Sequence, residues 1–148
     1  MMEIMLGLDL GEARIGVAIS DELGIAAHPL CTIHRRDRQA AIAILEALIA
    51  EHGVQRIVIG LPVRLNGEVG IQAEKVKAFA ATLQERVNLP VSFWDESFTT
   101  VEASRILRQS KKRGKKRKQV VDQVAAVLIL NGYLEQVRNT GRRDGLPA

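Results

Sequence analysis

Four acidic residues lie at the ends of apolar segments in this chain. Asp9 lies near the end of an almost wholly apolar stretch, and Asp122 lies two residues before the apolar run Val124–Leu130. Asp95 and Glu96 follow a further apolar stretch. An ionised carboxylate beside such segments is costly unless a counter-charge, hydrogen bonds or a metal ion stabilises it. Asp9 could instead cap its own turn, and Asp122 could favour the positive end of its helix.

Metal-assisted phosphodiester cleavage is the chemistry that this acidic set would support. Carboxylate oxygens suit the hard ions Mg²⁺ and Mn²⁺. Two such ions about 4 Å apart can activate an attacking water and stabilise the leaving oxygen of an in-line displacement. Neither a serine nucleophile nor a histidine base is then required, and the three histidines are scattered along the chain. If the acids converge on one place, the chain is predicted to be a metal-dependent endonuclease.

A run of seven cations lies just before Asp122. Its members are Lys111, Lys112, Arg113, Lys115, Lys116, Arg117 and Lys118. The whole chain has a net charge of +4, so these seven leave the remainder at −3. Such a run is often only a solvated loop, but its place beside Asp122 favours contacts with backbone phosphates. We expect these residues to position a nucleic acid without reading its sequence, with an affinity that falls as salt rises.

Length and composition are typical of one domain with a real core. The chain has 148 residues, 47% of them hydrophobic, and its apolar runs are far too short to span a membrane. The first residues lack the basic start and the small-residue cleavage site of a signal peptide, which predicts a cytoplasmic protein without a membrane partner. A single cysteine, Cys31, excludes an intramolecular disulfide.

Hydrophobic periodicity predicts three strands and then an alternation of helices and strands. The three strands are expected at 3–10, 14–20 and 24–33, and Pro29 places the third at an edge or a bend. The later helices are expected at 37–52, 70–86, 99–109 and 119–137, the later strands at 56–60 and 91–94, and a loop at 63–69. Gly53 is expected to end the first of these helices.

These elements predict an α/β fold with a mixed five-stranded sheet and helices on both faces. Three antiparallel strands come first, and right-handed crossovers add two parallel strands. A single domain is expected over 1–138, followed by a flexible tail over 139–148. If the apolar last helix packs on the sheet, Asp122 would face the ends of the strands that carry the other acids.

Several motifs resemble those of the YqgF (RuvX) family, whose fold is that of ribonuclease H and the RuvC-type resolvases. The matching stretches are Asp9–Ala18, Ile59–Pro62 with Asn66-Gly67, Asp95–Thr100, and Asp122–Ala126 followed by Leu130 and Tyr133-Leu134. They span most of the chain in the family's order. The resemblance implies a ribonuclease H-like fold of three layers.

The resemblance also implies which residues act. Asp9, Glu96 and Asp122 are expected to form an acidic catalytic triad that binds two Mg²⁺ or Mn²⁺ ions, with Asp95 as a neighbouring candidate ligand. Arg14, within the first motif, joins the seven cations as an expected nucleic-acid contact. The family usually has arginine after the Asp-Glu pair, whereas this chain has Ser97. That departure bears on substrate positioning and not on the metal site.

The implied activity is processing of the 5′ end of pre-16S ribosomal RNA, as structured RNA or within ribosomal precursor particles. An older assignment, Holliday junction resolution, makes branched DNA the rival substrate. A two-fold symmetric junction would favour a dimer and a single RNA scission would not, so a monomer or a weak homodimer is expected. A non-catalytic RNA- or ribosome-binding module would be marked by loss of an acid, and none is missing. An actin-like ATPase would need a second such domain.

Overall fold

Alternating apolar residues form the strands of this protein, and helically spaced apolar residues form the helices that cover them. The computed structural model describes residues 3–62, 70–95 and 115–141, and only the backbone of residues 115–119. In chain order the elements are β1 (Met5–Leu10), β2 (Arg14–Ser20), β3 (Ala27–His34), α1 (Arg38–His52), β4 (Arg56–Leu61), α2 (Ile71–Val87), β5 (Val91–Asp95) and α3 (Lys115–Thr140).

The five strands form one mixed sheet in the order β3-β2-β1-β4-β5. The pairs β1–β2 and β2–β3 are antiparallel, and β1–β4 and β4–β5 are parallel, as the sequence predicted. The carboxyl ends of β1, β4 and β5 therefore lie at one edge of the sheet, called here the carboxyl edge. Strand β3 is an outer strand, which confirms the prediction drawn from Pro29.

Each face of the sheet has its own hydrophobic core. On β1, Leu6 and Leu8 point to the face where Leu45 of α1 and Phe79 of α2 are buried with them. Met5 points to the other face, which α3 covers, and Tyr133 of α3 is fully buried there. Because strand side chains alternate between faces, every second residue of β1 lies beneath α3. The predicted helices on both faces are confirmed.

Helix α1 begins and ends where its capping residues predict. The Asp37 carboxylate accepts a hydrogen bond of 3.2 Å from the backbone N–H of Gln39, which satisfies one of the free donors of the first turn. At the other end Gly53 has a left-handed backbone with φ 66°, and its N–H donates to the carbonyl of Ile49.

Strand β3 begins at Ala27, three residues later than the sequence predicts. The carboxylate of Asp21 accepts hydrogen bonds from the backbone N–H groups of Ile25 at 2.9 Å and Ala26 at 3.1 Å. Gly24 has a φ of 66°, a backbone conformation that suits glycine. These residues therefore form a turn, and the backbone groups expected to start the strand are already hydrogen-bonded to Asp21.

Helix α3 is longer than predicted, running from Lys115 to Thr140 and not from 119 to 137. Lysine, arginine and glutamine are strong helix formers, so the second half of the basic run continues the helix toward its N-terminus. The stop comes at Gly141, whose φ is 70° and whose N–H donates to the carbonyl of Val137. The helix includes two residues assigned to the tail.

Other predictions concern residues that are not described. The helix expected at 99–109 and the loop expected at 63–69 lie outside the described residues. Over the ranges that are described, no helix combines the length and apolar character needed to cross a bilayer.

Candidate active site

Asp9 lies at the carboxyl edge, as the penultimate residue of β1. Strand alternation directs its side chain to the face of Met5 and Gly7, which is the face that α3 covers. In the neighbouring strand, Gly16 is directly opposite Asp9. The half-buried carboxylate of Asp9 therefore belongs to the α3 side of the sheet, beside a residue without a side chain.

Gly16 brings Asp122 next to Asp9. A Cβ atom built on Gly16 would lie 1.9 Å from the carbonyl oxygen of Asp122 and 3.0 Å from its Cα, so the backbone of α3 rests directly on β2 here. Opposite residues of an antiparallel pair have Cα atoms about 5 Å apart. The Cα atom of Gly16 is about 5 Å from that of Asp9 and no farther than this from that of Asp122. The Cα atoms of Asp9 and Asp122 are therefore separated by at most about 10 Å.

A second glycine on β1 extends this close approach. A Cβ atom on Gly7 would lie 2.8 Å from the Cβ of Leu130 and 3.1 Å from the carbonyl oxygen of Ala126. Neither Gly7 nor Gly16 was predicted from the sequence to be a point of contact between helix and sheet. The signal was present on β2, where Gly16 and Ala18 alternate with the larger Ile15 and Val17.

Arg14 neutralises Asp122. Its guanidinium Nε donates a hydrogen bond of 2.6 Å to Oδ2 of that carboxylate, and the side chains are 27% and 12% exposed respectively. A carboxylate so nearly buried needs a counter-charge, because removing an ion from water costs several kcal/mol. Arg14 was predicted as a nucleic-acid contact, and in the structure its guanidinium is a partner of a predicted metal ligand.

Strand β5 ends with Asp95 at the same edge. On β5, Ser92 hydrogen-bonds with Tyr133 of α3 at 3.2 Å, whereas Phe93 packs with the core of α1 and α2. By this alternation Asp95 points to the face of α1 and α2, away from Asp9 and Asp122. Glu96 and Ser97, which follow it, lie outside the described residues. Since β4 separates β1 from β5, the ends of these strands are about 10 Å apart.

The start of α3 places part of the basic run near Asp122. The backbone of Lys115, Lys116, Arg117 and Lys118 forms the first turn of the helix. With a rise of 1.5 Å per residue, this turn lies roughly 6–10 Å along the axis from Asp122. Residues 111–113 are outside the described residues. The backbone of the helical cations therefore begins at the carboxyl edge, beyond Asp122.

Helix α3 is held in register by polar contacts along the outer strand. Gln123 Nε2 donates to Thr32 Oγ1 at 3.0 Å, beside Asp122. Further along, Asn131 Oδ1 accepts a hydrogen bond of 2.8 Å from the backbone N–H of Ala27. These contacts limit sliding of the helix, so the height of Asp122 above the carboxyl edge is defined.

The donor chemistry of this site fits a hard divalent cation. Asp9 and Asp122 contribute carboxylate oxygens on one face at one edge, and such oxygens are the ligands that Mg²⁺ and Mn²⁺ prefer. Among the described residues, no group of three or more histidine, cysteine or acidic side chains is placed to hold a metal. Glu96, the third acid predicted from the sequence, lies outside the described residues.

Known proteins resemble this chain over almost its entire length. A family model described as "RuvX: Holliday junction resolvase" matches residues 3–136. A Moorella thermoacetica protein named "Putative pre-16S rRNA nuclease" is 49% identical over 137 residues, which cover 93% of this chain and 98% of the relative. A protein with that name from Koribacter versatilis is 46% identical and covers 96% and 92% respectively.

Solved structures share the fold at low identity. Thermus thermophilus RuvC, in complex with a Holliday junction substrate, superimposes with a TM-score of 0.58 at 10% identity, over 94% of this chain and 97% of RuvC. The fowlpox virus Holliday junction resolvase gives 0.54 at 10% identity, over 90% and 99%. These matches confirm the expected ribonuclease H-like fold. Together with the family model and the close relatives, they show that the chain belongs to the RuvX family.

Proposed function

We propose that this chain is a Mg²⁺- or Mn²⁺-dependent endonuclease that hydrolyses a phosphodiester bond during maturation of the 5′ end of pre-16S ribosomal RNA. The observation that carries the proposal is the contact of Gly16 with the backbone of Asp122, which brings a second acid beside Asp9. The names of relatives at 49% and 46% identity support this choice of substrate. The proposed substrate is RNA that is either free or within ribosomal precursor particles, and the proposed location of the reaction is the cytoplasm.

Each residue of the site has a distinct part in the proposed reaction. Asp9, Glu96 and Asp122 hold the divalent ions, which when bound supply a polarised water and charge stabilisation at the leaving oxygen. Asp95 is a less suitable metal ligand, because strand alternation directs its side chain to the other face of the sheet. Arg14 balances the charge of Asp122 through its hydrogen bond of 2.6 Å while no ion is bound. The cations of the run 111–118 contact backbone phosphates.

The decisive experiment replaces one acid. Asp9→Asn keeps the size of the side chain and removes a charged oxygen ligand, so cleavage of a pre-16S 5′-leader RNA in Mn²⁺ should fall by at least a hundredfold. The unfolding midpoint and the RNA affinity measured in EDTA should remain close to those of the wild type. Asp37→Asn, at the start of α1, is the matched control and should retain cleavage. Full activity of Asp9→Asn would refute the proposed mechanism.

Branched DNA is the second candidate substrate. It is favoured by the description of the family model and by the whole-chain match to resolvases. A synthetic four-way junction should be tested beside the RNA leader, with the same Asp9→Asn control. Symmetric cleavage of the junction would require two active sites, so it should rise with dimer formation, whereas cleavage of RNA by a monomer should not. Binding without cleavage of either substrate would leave a non-catalytic RNA- or ribosome-binding module.

A further inference from the structure

A cavity opens at the carboxyl edge, on the opposite face of the sheet from Asp122. Its volume is about 430 Å³, and it lies between the end of β1 and the first turns of α1 and α2. Leu10 and Val76, both buried, form its apolar part, and Gln72 adds an amide. The cavity is large enough for a phosphate group and its neighbouring sugar.

The charges that line this cavity are mostly positive. Arg35, Arg38 and Lys75 face it, against the single carboxylate of Glu12. Across the described part of the chain, none of the three cations forms an ion pair with a carboxylate. The positive ends of two helix dipoles add to this charge, because α1 and α2 both begin here. An anion entering the cavity would therefore meet a net positive field.

Arg35 is held in place at the cavity wall. Its Nη1 donates a hydrogen bond of 2.5 Å to the carbonyl of Gly11, and its guanidinium lies 5.1 Å from the ring centroid of Phe79. Burial, and then the charge of Arg38, lower the pKa of Arg35. A cation that is partly desolvated beside another cation gains from a bound anion, and its fixed geometry reduces the entropy lost on binding.

The same turn connects this cavity to the acidic site. Leu10 follows Asp9 directly, and their side chains point to opposite faces of the sheet. The turn between β1 and β2 places Glu12 at the cavity and leads directly into Arg14, which binds Asp122. Arg35 donates a hydrogen bond to the carbonyl of Gly11 in this turn. A nucleic-acid strand crossing the carboxyl edge would therefore pass both places.

We propose that this cavity binds a backbone phosphate of the nucleic-acid substrate, away from the bond that is cleaved, and so fixes the strand across the active site. The inference rests on the proposed nuclease function and extends it with a named phosphate site. The bound phosphate contacts Arg38 and Lys75 through their charges and Arg35 through its guanidinium. It carries no sequence information, because every nucleotide presents the same group.

The test compares two lysines on one helix. Lys75 lines the cavity, whereas Lys77 is exposed on α2 and does not. Binding of the RNA leader and of the junction is measured in EDTA by fluorescence anisotropy at several salt concentrations, so that no bond is cleaved. The double variant Arg38→Gln/Lys75→Gln should bind about tenfold more weakly and lower the salt slope by about 1, since one phosphate contact is lost. The Lys75→Gln variant should bind nucleic acid more weakly than the Lys77→Gln variant. The Glu12→Gln variant should bind it more tightly than the wild type.

The alternative outcomes separate this proposal from the nuclease itself. If the Lys75→Gln and Lys77→Gln variants bind nucleic acid with equal affinity and cleave it normally, the cavity does not bind a substrate phosphate. Only this inference is then overturned. Backbone NMR shifts at 72–76 on adding inorganic phosphate, with nucleic-acid affinity unchanged in the double variant, would instead assign the cavity to a free anion and also overturn it. If the wild type neither binds nor cleaves nucleic acid, the proposed function fails as well.

Discussion

Arg14 would compete with a bound divalent ion for the carboxylate of Asp122. Its guanidinium is the counter-charge of Asp122 at 2.6 Å, yet the same carboxylate is a proposed ligand of a divalent ion. In the absence of the ion, Arg14 keeps a nearly buried carboxylate from being left uncompensated. Metal binding and the Arg14 contact are therefore alternative ways of stabilising one charge at the carboxyl edge.

Replacing Arg14 should reveal the competition between this side chain and the metal ion. Arg14→Gln should lower the free energy of unfolding in EDTA by about 2 kcal/mol, because a buried carboxylate loses its charged partner. Mn²⁺ should then raise the unfolding midpoint of the variant more than that of the wild type, since the ion supplies the missing charge. Denaturant unfolding with and without Mn²⁺ measures both effects. Arg36→Gln, at an exposed cation nearby, is the control, and equal Mn²⁺ effects in the two variants would contradict the competition.

Asp21 gives a pH dependence whose sign follows from its hydrogen bonds. The N–H of Ile25 has the largest effect on the carboxyl group of Asp21 and lowers its pKa below the ordinary value of 3.8. Burial opposes this shift, and the N–H groups of Ala26, Leu23 and Gly24 add to it. A carboxyl group with a lowered pKa in the folded state stabilises the fold above its unfolded pKa of about 3.9. That contribution is lost as the pH falls through the folded pKa.

The corresponding experiment is a comparison across pH. Asp21→Asn should unfold at a lower denaturant concentration than the wild type at pH 7. The difference should shrink at pH 3, which lies below the unfolded pKa of about 3.9, because there the stabilising contribution of the charge begins to be lost. Glu22→Gln, at the exposed neighbouring position, should show no such narrowing. A difference of the same size at both pH values would show that the charge of Asp21 does not stabilise the turn.

At the scale of elements, the packing of α3 on the first two strands determines the site. Gly7 and Gly16 leave room for the helix backbone, and the helix in turn carries Asp122 to the strand that faces Asp9. Hydrogen bonds from Gln123 and Asn131 to β3 set how far the helix extends along the sheet. The acidic site is therefore a product of close helix–sheet contact rather than of one flexible loop.

Gly16→Ala tests this contact. Its Cβ would lie 1.9 Å from a backbone oxygen, which cannot rotate away, so α3 must shift. We expect a loss of about 3 kcal/mol in the free energy of unfolding, together with loss of cleavage and weaker Mn²⁺ binding. Gly53→Ala is the matched control: it has open space around its Cβ and only an unfavourable backbone conformation, so it should cost about 1 kcal/mol and keep cleavage. Cleavage by Gly16→Ala at the wild-type rate would argue against the close contact.

At the scale of the whole molecule, local patterns predicted the elements better than the contacts between them. Hydrophobic alternation and a capping residue such as Gly53 act within a few residues, so the sheet, its strand directions and the placement of helices could be read from the chain. The ion pair of Arg14 with Asp122 joins residues 108 positions apart, and no local signal specifies it. The cationic cavity likewise depends on where two helices begin relative to β1.

The errors at element boundaries have local causes as well. Apolar residues after Gly24 suggested an early start of β3, but the hydrogen bonds of Asp21 capture that backbone first. The cations from Lys115 onward suggested a solvated loop, although their helix propensity carries α3 back to that residue. In both cases polarity was a weaker guide than the hydrogen bonds available to the backbone.

The outer strand β3 has a consequence for self-association. Pro29 lacks an N–H group. The pairing register with β2 also shifts between Val17 and Ala18, so Leu30 has no opposite residue on β2 and the strand is irregular there. An edge of this kind offers a poor template for adding another chain's strand, which guards against aggregation through open sheet borders. Two copies that associate on a branched substrate are therefore not expected to form a continuous ten-stranded sheet across β3.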